Sequence, residues 1–200
     1  MASDVREIVF ATNNAHKLSE LRAVVGDHLK VLSLEDIDCH DDIPETGDTL
    51  EENSMLKARW VKDKYGYDCI ADDTGLEVVA LDGAPGVHSA RYAPGDGHDS
   101  KANMELLLHN MEGVTDRRAR FRTVITLLTG ADGCRVVDGV VNGTIATSPR
   151  GENGFGYDPV FLPDEAAGLS FAQMDADAKN MISHRGRATR TLLNLLEKQA

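Results

Sequence analysis

Two adjacent carboxylates follow a short apolar run near the middle of the chain. Asp72 and Asp73 come directly after Cys69–Ala71, which has the composition of a buried strand end, and Thr74-Gly75 is typical of a turn. An acidic pair in this position has two explanations. Its side chains can bond their own backbone in a turn, or they can hold a hard cation such as Mg²⁺ and leave positions for water and phosphate. The pair by itself does not decide between them.

A lysine lies in the first turn of a predicted helix, just after a predicted strand. We expect the strand over residues 5–11, a polar turn at Thr12-Asn13-Asn14, and a helix with Leu18 and Leu21 on its apolar face. The N–H groups at a helix N-terminus attract phosphate, whereas the helix dipole disfavours a lysine there. Lys17 is therefore a candidate phosphate ligand. The alternative is a solvated lysine on an exposed face.

An acidic connection over residues 35–48 precedes a second predicted helix at roughly Thr49–Tyr65. A charge run of this kind is usually a solvated loop. Glu45 stands out within it, because Pro44 restricts the neighbouring backbone and the entry to the helix follows at once. Lys57 lies about two turns into that helix, where it either reaches a shared cleft or stays at the surface.

A glycine-rich stretch near residue 155 is the third candidate for chemistry. Glycines on both sides of Phe155 let its ring stand away from the chain and stack on a planar base. The alternative is a glycine-rich turn with Phe155 in the core. Farther on, Ser183 is the expected N-cap of the last amphipathic helix. His184 and Arg185 follow it and offer hydrogen-bond donors, although a histidine in this position is also commonly structural.

The remaining elements indicate an α/β protein. We expect Asp99 to cap a helix that runs to about residue 111, followed by a long strand over Arg118–Leu128. Residues 134–141 and 143–147 predict two further strands, so this middle region is expected to be an antiparallel excursion that forms a second lobe. Thus 200 residues with 42% hydrophobic content are enough for one core shared by two lobes.

Composition limits the location and the partners of the chain. The net charge of −12 argues against sequence-independent binding to nucleic acid, but a local cluster of Lys and Arg can still hold a small anion. There is no apolar run long enough for a membrane span and no signal-peptide pattern. Cys39, Cys69 and Cys134 are widely spaced, which favours reduced thiols used in packing. We therefore expect a cytoplasmic protein without a membrane partner.

Six motifs occur together over roughly residues 8 to 190. They are Thr12–Lys17, Pro44–Gly47, Ala71–Gly75, Gly83–Gly86 with Ser89–Tyr92, Gly154–Pro159 and Ser183–Gly186. Each is weak alone, but six in one order are specific. As a set they resemble the inosine/xanthosine triphosphate pyrophosphatase family, house-cleaning enzymes that hydrolyse deaminated purine nucleoside triphosphates.

This resemblance implies both a fold and a reaction. The implied fold is α/β, with a long central mixed sheet, flanking helices and two lobes around a cleft, in a single catalytic domain over residues 1–200 that forms a homodimer. The implied reaction is the Mg²⁺-dependent hydrolysis of ITP, dITP and XTP between the α and β phosphates. Its products are the nucleoside monophosphate and pyrophosphate.

The resemblance also implies roles for single residues. Glu45 and Asp73 would bind Mg²⁺, with Asp72 nearby, and Asp73 would accept the proton of the attacking water. Thr74 would be the substrate contact that follows Asp73. The other substrate-binding residues that the resemblance implies are, for the triphosphate, Thr12, Asn13, Asn14, Ala15, His16, Lys17 and Lys57, and, for the nucleoside, Phe155, Gly156, Tyr157, Asp158, Lys179, His184 and Arg185.

The residue types suit this chemistry and leave alternatives. Donors such as Arg185 or His184 would pair with the 6-oxygen of hypoxanthine or xanthine, whereas the 6-amino group of adenine would face donors and be rejected. One alternative is a pyrophosphatase for dTTP, UTP or modified pyrimidine triphosphates on a related scaffold. Another alternative is a nucleotide-binding module without catalysis. The presence of Glu45, Asp73 and Lys17 argues against it.

Overall fold

The computed structural model describes residues 6–25, 29–95, 98–130 and 133–197. The helices within these ranges are α1 (Ala15–Val25), α2 (Leu50–Tyr65), α3 (Ser100–Asn110), α4 (Ala176–Ile182) and α5 (His184–Glu197). The strands are β1 (Arg6–Phe10), β2 (Leu29–Leu32), β3 (Cys69–Val78), β4 (Pro85–Gly86), β5 (Arg118–Thr129), β6 (Gly133–Ile145) and β7 (Phe161–Pro163). None of the helices in these ranges combines the length and the apolar composition that crossing a bilayer requires.

The strands form an open mixed sheet in the order β2-β1-β3-β5-β6-β7. The short strand β4 is not part of this order and pairs with β3. β1 runs parallel to β2 and to β3, whereas β4 is antiparallel to β3 and β7 is antiparallel to β6. The N-terminal β1-α1-β2 segment is therefore a parallel crossover, and the C-terminal part adds antiparallel pairs. The predicted α/β class with a central mixed sheet and flanking helices is confirmed.

The chain divides into two compact units, and the first contains the described residues within 6–73, 124–138 and 188–197. In this unit Ile8 and Phe10 of β1 pack with side chains of α1 and α5, whereas Val9 and Ala11 pack with side chains of α2. Both faces of β1 are thus covered. This explains why the strand is a continuous apolar run rather than an alternating one.

An ion-pair network fastens the start of β3 in this first unit. Asp68 accepts hydrogen bonds from Lys62 Nζ at 2.7 Å, from the Gly130 backbone N–H at 2.9 Å and from Arg6 at 3.1 Å. Burial by itself raises the pKa of Asp68, but these hydrogen bonds outweigh burial and hold the pKa below its usual range. The folded state therefore favours the ionised carboxylate.

The second unit comprises the described residues within 74–123 and 139–187 and has its own core. The ring of Phe121 lies 4.7 Å from that of Phe161 in an edge-to-face contact, and Phe161 lies 5.3 Å from Phe171. Leu107 of α3 and Met111, the C-cap residue of that helix, belong to the same cluster. These aromatic rings supply a large buried area, which fixes the positions of the loops that leave the cluster.

The helix starts follow the capping residues that the sequence predicts. Thr49 forms a capping box with Glu52 at the start of α2, and Asp99 accepts the backbone N–H groups of the first turn of α3. Ser183 accepts the Gly186 N–H at 3.1 Å at the start of α5. The short helix α4, which Asp175 caps, was not predicted.

Two predicted interruptions of strands are wrong. The Thr74-Gly75 turn is absent, because β3 continues through both carboxylates to Val78 and buries Leu76 and Val78 completely. β6 is likewise one strand rather than two. Gly143 lies within it where a Cβ atom would come 2.3 Å from the Leu162 carbonyl oxygen. This glycine therefore permits close approach of β7 and does not break the strand.

The middle region is also not a separate lobe, since residues 124–138 belong to the first unit and residues 139–145 to the second. The cysteines are free. Cys39 and Cys69 are buried, as packing predicts, but Cys134 is exposed, so its predicted packing role is wrong. Burial raises the pKa of the Cys69 thiol to about 12, which keeps it protonated and unreactive at neutral pH.

Candidate active site

Strand pairing brings the turn after β1 next to the carboxylates of β3. Val9 pairs with Cys69 and Phe10 with Ile70, and the Ala11 N–H donates to the Ile70 carbonyl oxygen at 2.8 Å. β1 ends at Phe10, whereas β3 continues for eight residues beyond Ile70. The polar turn after β1 therefore leaves the sheet alongside Asp72.

This turn caps α1 and aims Lys17 at Asp72. The Asn14 side chain accepts the Lys17 N–H at 3.2 Å, and Thr12 Oγ1 accepts the Asn14 N–H at 3.1 Å. Lys17 Nζ then donates to Asp72 Oδ2 at 2.7 Å, with the two side chains 16% and 3% exposed. The alternative of a solvated lysine is wrong.

A second lysine joins two carboxylates of the same unit. Lys57 Nζ donates a hydrogen bond to Glu45 and lies 3.9 Å from Asp73 Oδ1. The Lys57 side chain is 11% exposed, so the alternative of a surface position is wrong. Burial by itself lowers the pKa of Lys57, but the charges of Asp72, Asp73 and Glu45 outweigh it and hold the pKa above its ordinary value. Lys57 is therefore a cation at neutral pH.

The loop that carries Glu45 is held by the same helix. Asn53 of α2 is completely buried and accepts the Gly47 N–H at 2.8 Å. A Cβ atom at Gly47 would lie 2.6 Å from the Cβ atom of Glu52, so no larger residue fits between the loop and the helix. Because Asn53 and Lys57 are four residues apart, they lie on one face of α2 and hold the loop at two points.

The donor set fits a hard divalent cation that keeps part of its coordination for water and phosphate. Within the described residues no group of three or more His, Cys, Asp or Glu side chains converges as a ready-made metal cage. Glu45 and Asp73, from separate segments, nevertheless approach the same ammonium group, and both are oxygen donors. Mg²⁺ is typically held by one or two carboxylates with substrate phosphates completing its shell.

Thr74 is the first residue of the second unit and has a hydroxyl partner there. Its Oγ1 lies 2.8 Å from Oγ1 of Thr123, which β5 holds in a fully buried position. A hydroxyl pair of this kind fixes the rotamer of the more exposed partner. Thr74 therefore presents a preset side chain directly after Asp73 in β3.

The second unit also presents an exposed aromatic ring with two cations. Phe155 is 47% exposed, so the alternative that places it in the core is wrong. Lys179 Nζ lies 5.3 Å and Arg185 Cζ lies 5.6 Å from the centre of its ring. An aromatic face flanked by donors has the features that stack and hydrogen-bond a planar base.

Asp158 holds this aromatic loop in shape. Its Oδ2 accepts the Phe155 N–H at 2.8 Å and the Lys179 ammonium at 2.6 Å. Gly154 has φ +80°, and a Cβ atom there would lie 2.2 Å from Asp158 Oδ2. Only glycine suits both the backbone conformation and the space, so the loop before Phe155 closes tightly over a buried carboxylate.

The model of the Ham1 family matches residues 8–195 of the chain. The chain belongs to the Ham1 family. The resemblance that the motifs indicate, to inosine/xanthosine triphosphate pyrophosphatases, is thereby confirmed.

Relatives and solved structures match this Ham1 chain over nearly its whole length. The dITP/XTP pyrophosphatase of Christiangramia forsetii is 51% identical over 193 residues, which is 96% of this chain and 100% of the relative. That of Porphyromonas gingivalis is 50% identical over 96% of this chain and 98% of its own. The structure of the Staphylococcus aureus Ham1 protein matches with a TM-score of 0.91 at 39% identity, over 98% of this chain and 100% of that one.

Several predicted substrate residues of this Ham1 chain have side chains engaged in packing. Tyr157 is buried and donates from its hydroxyl to the Ser89 carbonyl oxygen at 2.8 Å. Burial, with a smaller effect of Tyr92, raises its pKa, so the phenol stays neutral. His184 is 6% exposed and stacks on Phe121 at 4.6 Å between ring centres. Their substrate roles stay predictions.

The other predicted contacts of this Ham1 chain lie on the turn after β1 and on the loop at Phe155. Asn13 and Ala15 are exposed, and Gly156 has φ +63° with open space around it. The side chain of His16 lies outside the described residues. The substrate contacts of these residues stay predictions too.

Sequence reasoning missed two residues that position others. Asn53 holds the Glu45 loop and has a sequence signal, because it lies four residues before Lys57 on the same helix face. Thr123 holds the Thr74 hydroxyl and has no such signal, since partners on neighbouring strands are far apart in sequence.

Proposed function

We propose that this Ham1 protein is a nucleoside triphosphate pyrophosphohydrolase that acts on deaminated purine nucleotides. It cleaves ITP, dITP and XTP between the α and β phosphates and releases the nucleoside monophosphate and pyrophosphate. The observation that carries the proposal is the set of ion pairs Lys17–Asp72 and Lys57–Glu45 with Asp73 beside it. The names of the relatives that are half identical over their full length support it.

The cluster supplies the groups that hydrolysis at the α phosphorus needs. Asp73 accepts the proton of the attacking water, since a carboxylate next to a cation orients a water molecule and takes its proton. Lys17 and Lys57 bind phosphate oxygens and offset the charge that grows on the leaving pyrophosphate. We infer that Glu45 and Asp73 hold Mg²⁺, which when bound adds positive charge next to the phosphates.

The aromatic loop supplies the base-recognition groups. The exposed face of Phe155 stacks on the purine, and Lys179 and Arg185 beside it are donors without acceptor capacity. Donors match the 6-oxygen of hypoxanthine and xanthine. The 6-amino group of adenine is itself a hydrogen-bond donor and would face the donors of the protein. Such a mismatch rejects adenine nucleotides more strongly than the shape of the pocket does.

We further propose that the protein works as a homodimer in the cytoplasm. Free thiols at Cys39, Cys69 and Cys134 are consistent with a reducing compartment. Light scattering coupled to gel filtration tests the dimer, because it gives either twice or once the mass of the 200-residue chain. The single catalytic domain over residues 1–200 and the cleft between two lobes stay predictions.

A panel of nucleotides tests the function. Purified protein with Mg²⁺ is incubated with ITP, dITP, XTP, GTP, ATP, dTTP and UTP, and pyrophosphate and orthophosphate are measured separately. We expect pyrophosphate alone, at rates with the deaminated purines at least about 100-fold above those with ATP. Equal rates with ATP would refute the selectivity, and faster release from dTTP or UTP would establish the pyrimidine alternative. Binding of ITP in calorimetry without any product would establish a non-catalytic module.

A further inference from the structure

The Lys57 ammonium group occupies the point that Glu45 and Asp73 both approach. It bonds to the Glu45 carboxylate and lies 3.9 Å from Asp73 Oδ1, and its side chain is 11% exposed. An ammonium group here is a local counter-ion for two carboxylates that come from different segments of the chain. It therefore holds together the two groups that we assign to the metal.

The Lys57 ammonium group and a divalent cation compete for the carboxylate oxygens of Glu45 and Asp73. Magnesium or a similar ion takes carboxylate oxygens at about 2.0–2.1 Å, inside the distance of a charge-assisted hydrogen bond of about 2.7–2.9 Å. Two cations bound to the same oxygens would also lie within a few ångström of each other and repel. Metal binding to Glu45 and Asp73 therefore requires Lys57 to move away from them.

The neighbouring ion pair makes the competition stronger. Lys17 is bonded to Asp72 at 2.7 Å, so three carboxylates in this cluster face two ammonium groups. Among the described groups that these contacts join, the carboxylates exceed the ammonium groups by one charge, which offers a divalent cation little electrostatic gain. A triphosphate changes this balance, because its oxygens give both lysines new partners.

We propose that Lys57 is a built-in competitor of the divalent cation, and that a nucleoside triphosphate relieves the competition by drawing the Lys57 ammonium onto its phosphates. The inference rests on the proposed function for the identity of the metal-binding carboxylates. Its consequence is coupling: metal and nucleotide each bind weakly alone and strengthen one another by the same factor. The enzyme then captures the metal–nucleotide complex rather than bare metal.

Manganese binding in the absence of nucleotide tests the proposal without any turnover. Free Mn²⁺ is measured by electron paramagnetic resonance during titration of the unmodified protein and of the variants Lys57→Met and Lys62→Met. Lys62 is the matched control, because it lies on the same helix and pairs with Asp68 at 2.7 Å. We expect Lys57→Met to bind Mn²⁺ at least about tenfold more tightly than the unmodified protein, and Lys62→Met to bind it equally. No tightening in Lys57→Met, or the same tightening in Lys62→Met, would overturn the proposal.

A second measurement needs no variant, in case Lys57→Met does not fold. Reductive methylation of the unmodified protein, followed by peptide mass spectrometry, measures how fast each lysine reacts. Saturating Mn²⁺ should speed labelling of Lys57 several-fold by releasing its amine and leave Lys62 unchanged. An unchanged rate at Lys57 with Mn²⁺ bound contradicts the competition. Neither assay depends on which nucleotide is hydrolysed, so failure of the substrate assignment and failure of this inference are distinguishable.

Discussion

The pair of Lys17 and Asp72 provides a quantitative test of the site geometry. Their side chains are 16% and 3% exposed, and the two charges are joined at 2.7 Å. Replacing Lys17 with Met leaves a buried carboxylate without this partner, which typically costs about 3–5 kcal/mol. Because Lys17 retains some contact with solvent, we expect a loss about 1 kcal/mol below this range, that is about 2–4 kcal/mol of unfolding free energy.

Urea denaturation at pH 7, followed by far-ultraviolet circular dichroism, measures this loss. The matched control is Lys30→Met, since Lys30 pairs with Glu7 at the same 2.7 Å but with side chains 60% and 45% exposed. The control should cost much less than Lys17→Met, because solvent screens an exposed pair. Adding Asp72→Asn to Lys17→Met removes the carboxylate charge that has lost its Lys17 partner, and it should restore part of the stability. Equal losses for Lys17→Met and Lys30→Met, or no restoration by Asp72→Asn, would refute the buried pair.

Three further predictions follow from the described contacts. Asp73→Asn should lower kcat with dITP by at least about 100-fold, because it removes the proton acceptor, and should leave the circular dichroism spectrum unchanged. Asp68→Asn should cost about 1–2 kcal/mol at pH 7. The pKa of Asp68 is lowered in the folded state, so the stability difference between the protein and Asp68→Asn should persist at pH 5 and shrink only below about pH 4. Urea denaturation across this pH range measures the difference, and its loss already at pH 6 would contradict the prediction. Phe155→Ala should raise KM for dITP about tenfold or more, whereas Phe155→Tyr keeps the stacking surface; equal KM values for both variants would exclude stacking.

The helix starts could be predicted because capping is local. Thr49, Asp99 and Ser183 each accept backbone N–H groups within three residues, and such contacts depend only on the adjacent sequence. β1 was also predictable, since an apolar run of this length flanked by polar residues needs no distant partner to be identified. These elements account for the correct fold class.

The errors arose where distant segments decide the local structure. Thr74-Gly75 has turn composition, but pairing of β3 with β4 and complete burial of Leu76 keep the strand extended. The predicted break of β6 between Val141 and Gly143 is wrong for a related reason, since the close approach of the Leu162 carbonyl explains the glycine within a continuous strand. Turn-forming residues thus predict turns only where no neighbouring strand competes for their backbone groups.

The candidate site was predictable in residue type but not in its contacts. Lys17 and Lys57 stand out as cations near carboxylates, yet the chain order does not say which carboxylate each one holds. The packing of His184 against Phe121 could not be predicted either, since a histidine occurs both in ligand-binding sites and in protein cores. The contacts come from the sheet register and from helix packing, which the sequence pattern alone does not determine.

Competition between dITP and dATP in one reaction measures how well the enzyme distinguishes a 6-oxygen from a 6-amino group. An equimolar mixture of dITP and dATP is incubated with the enzyme and Mg²⁺, and the loss of each is followed by chromatography, so that the ratio of rates gives the ratio of kcat/KM. We predict that dITP is consumed to dIMP and pyrophosphate at least about 100-fold faster than dATP. Consumption of both nucleotides at the same rate would contradict the proposed recognition of the 6-oxygen.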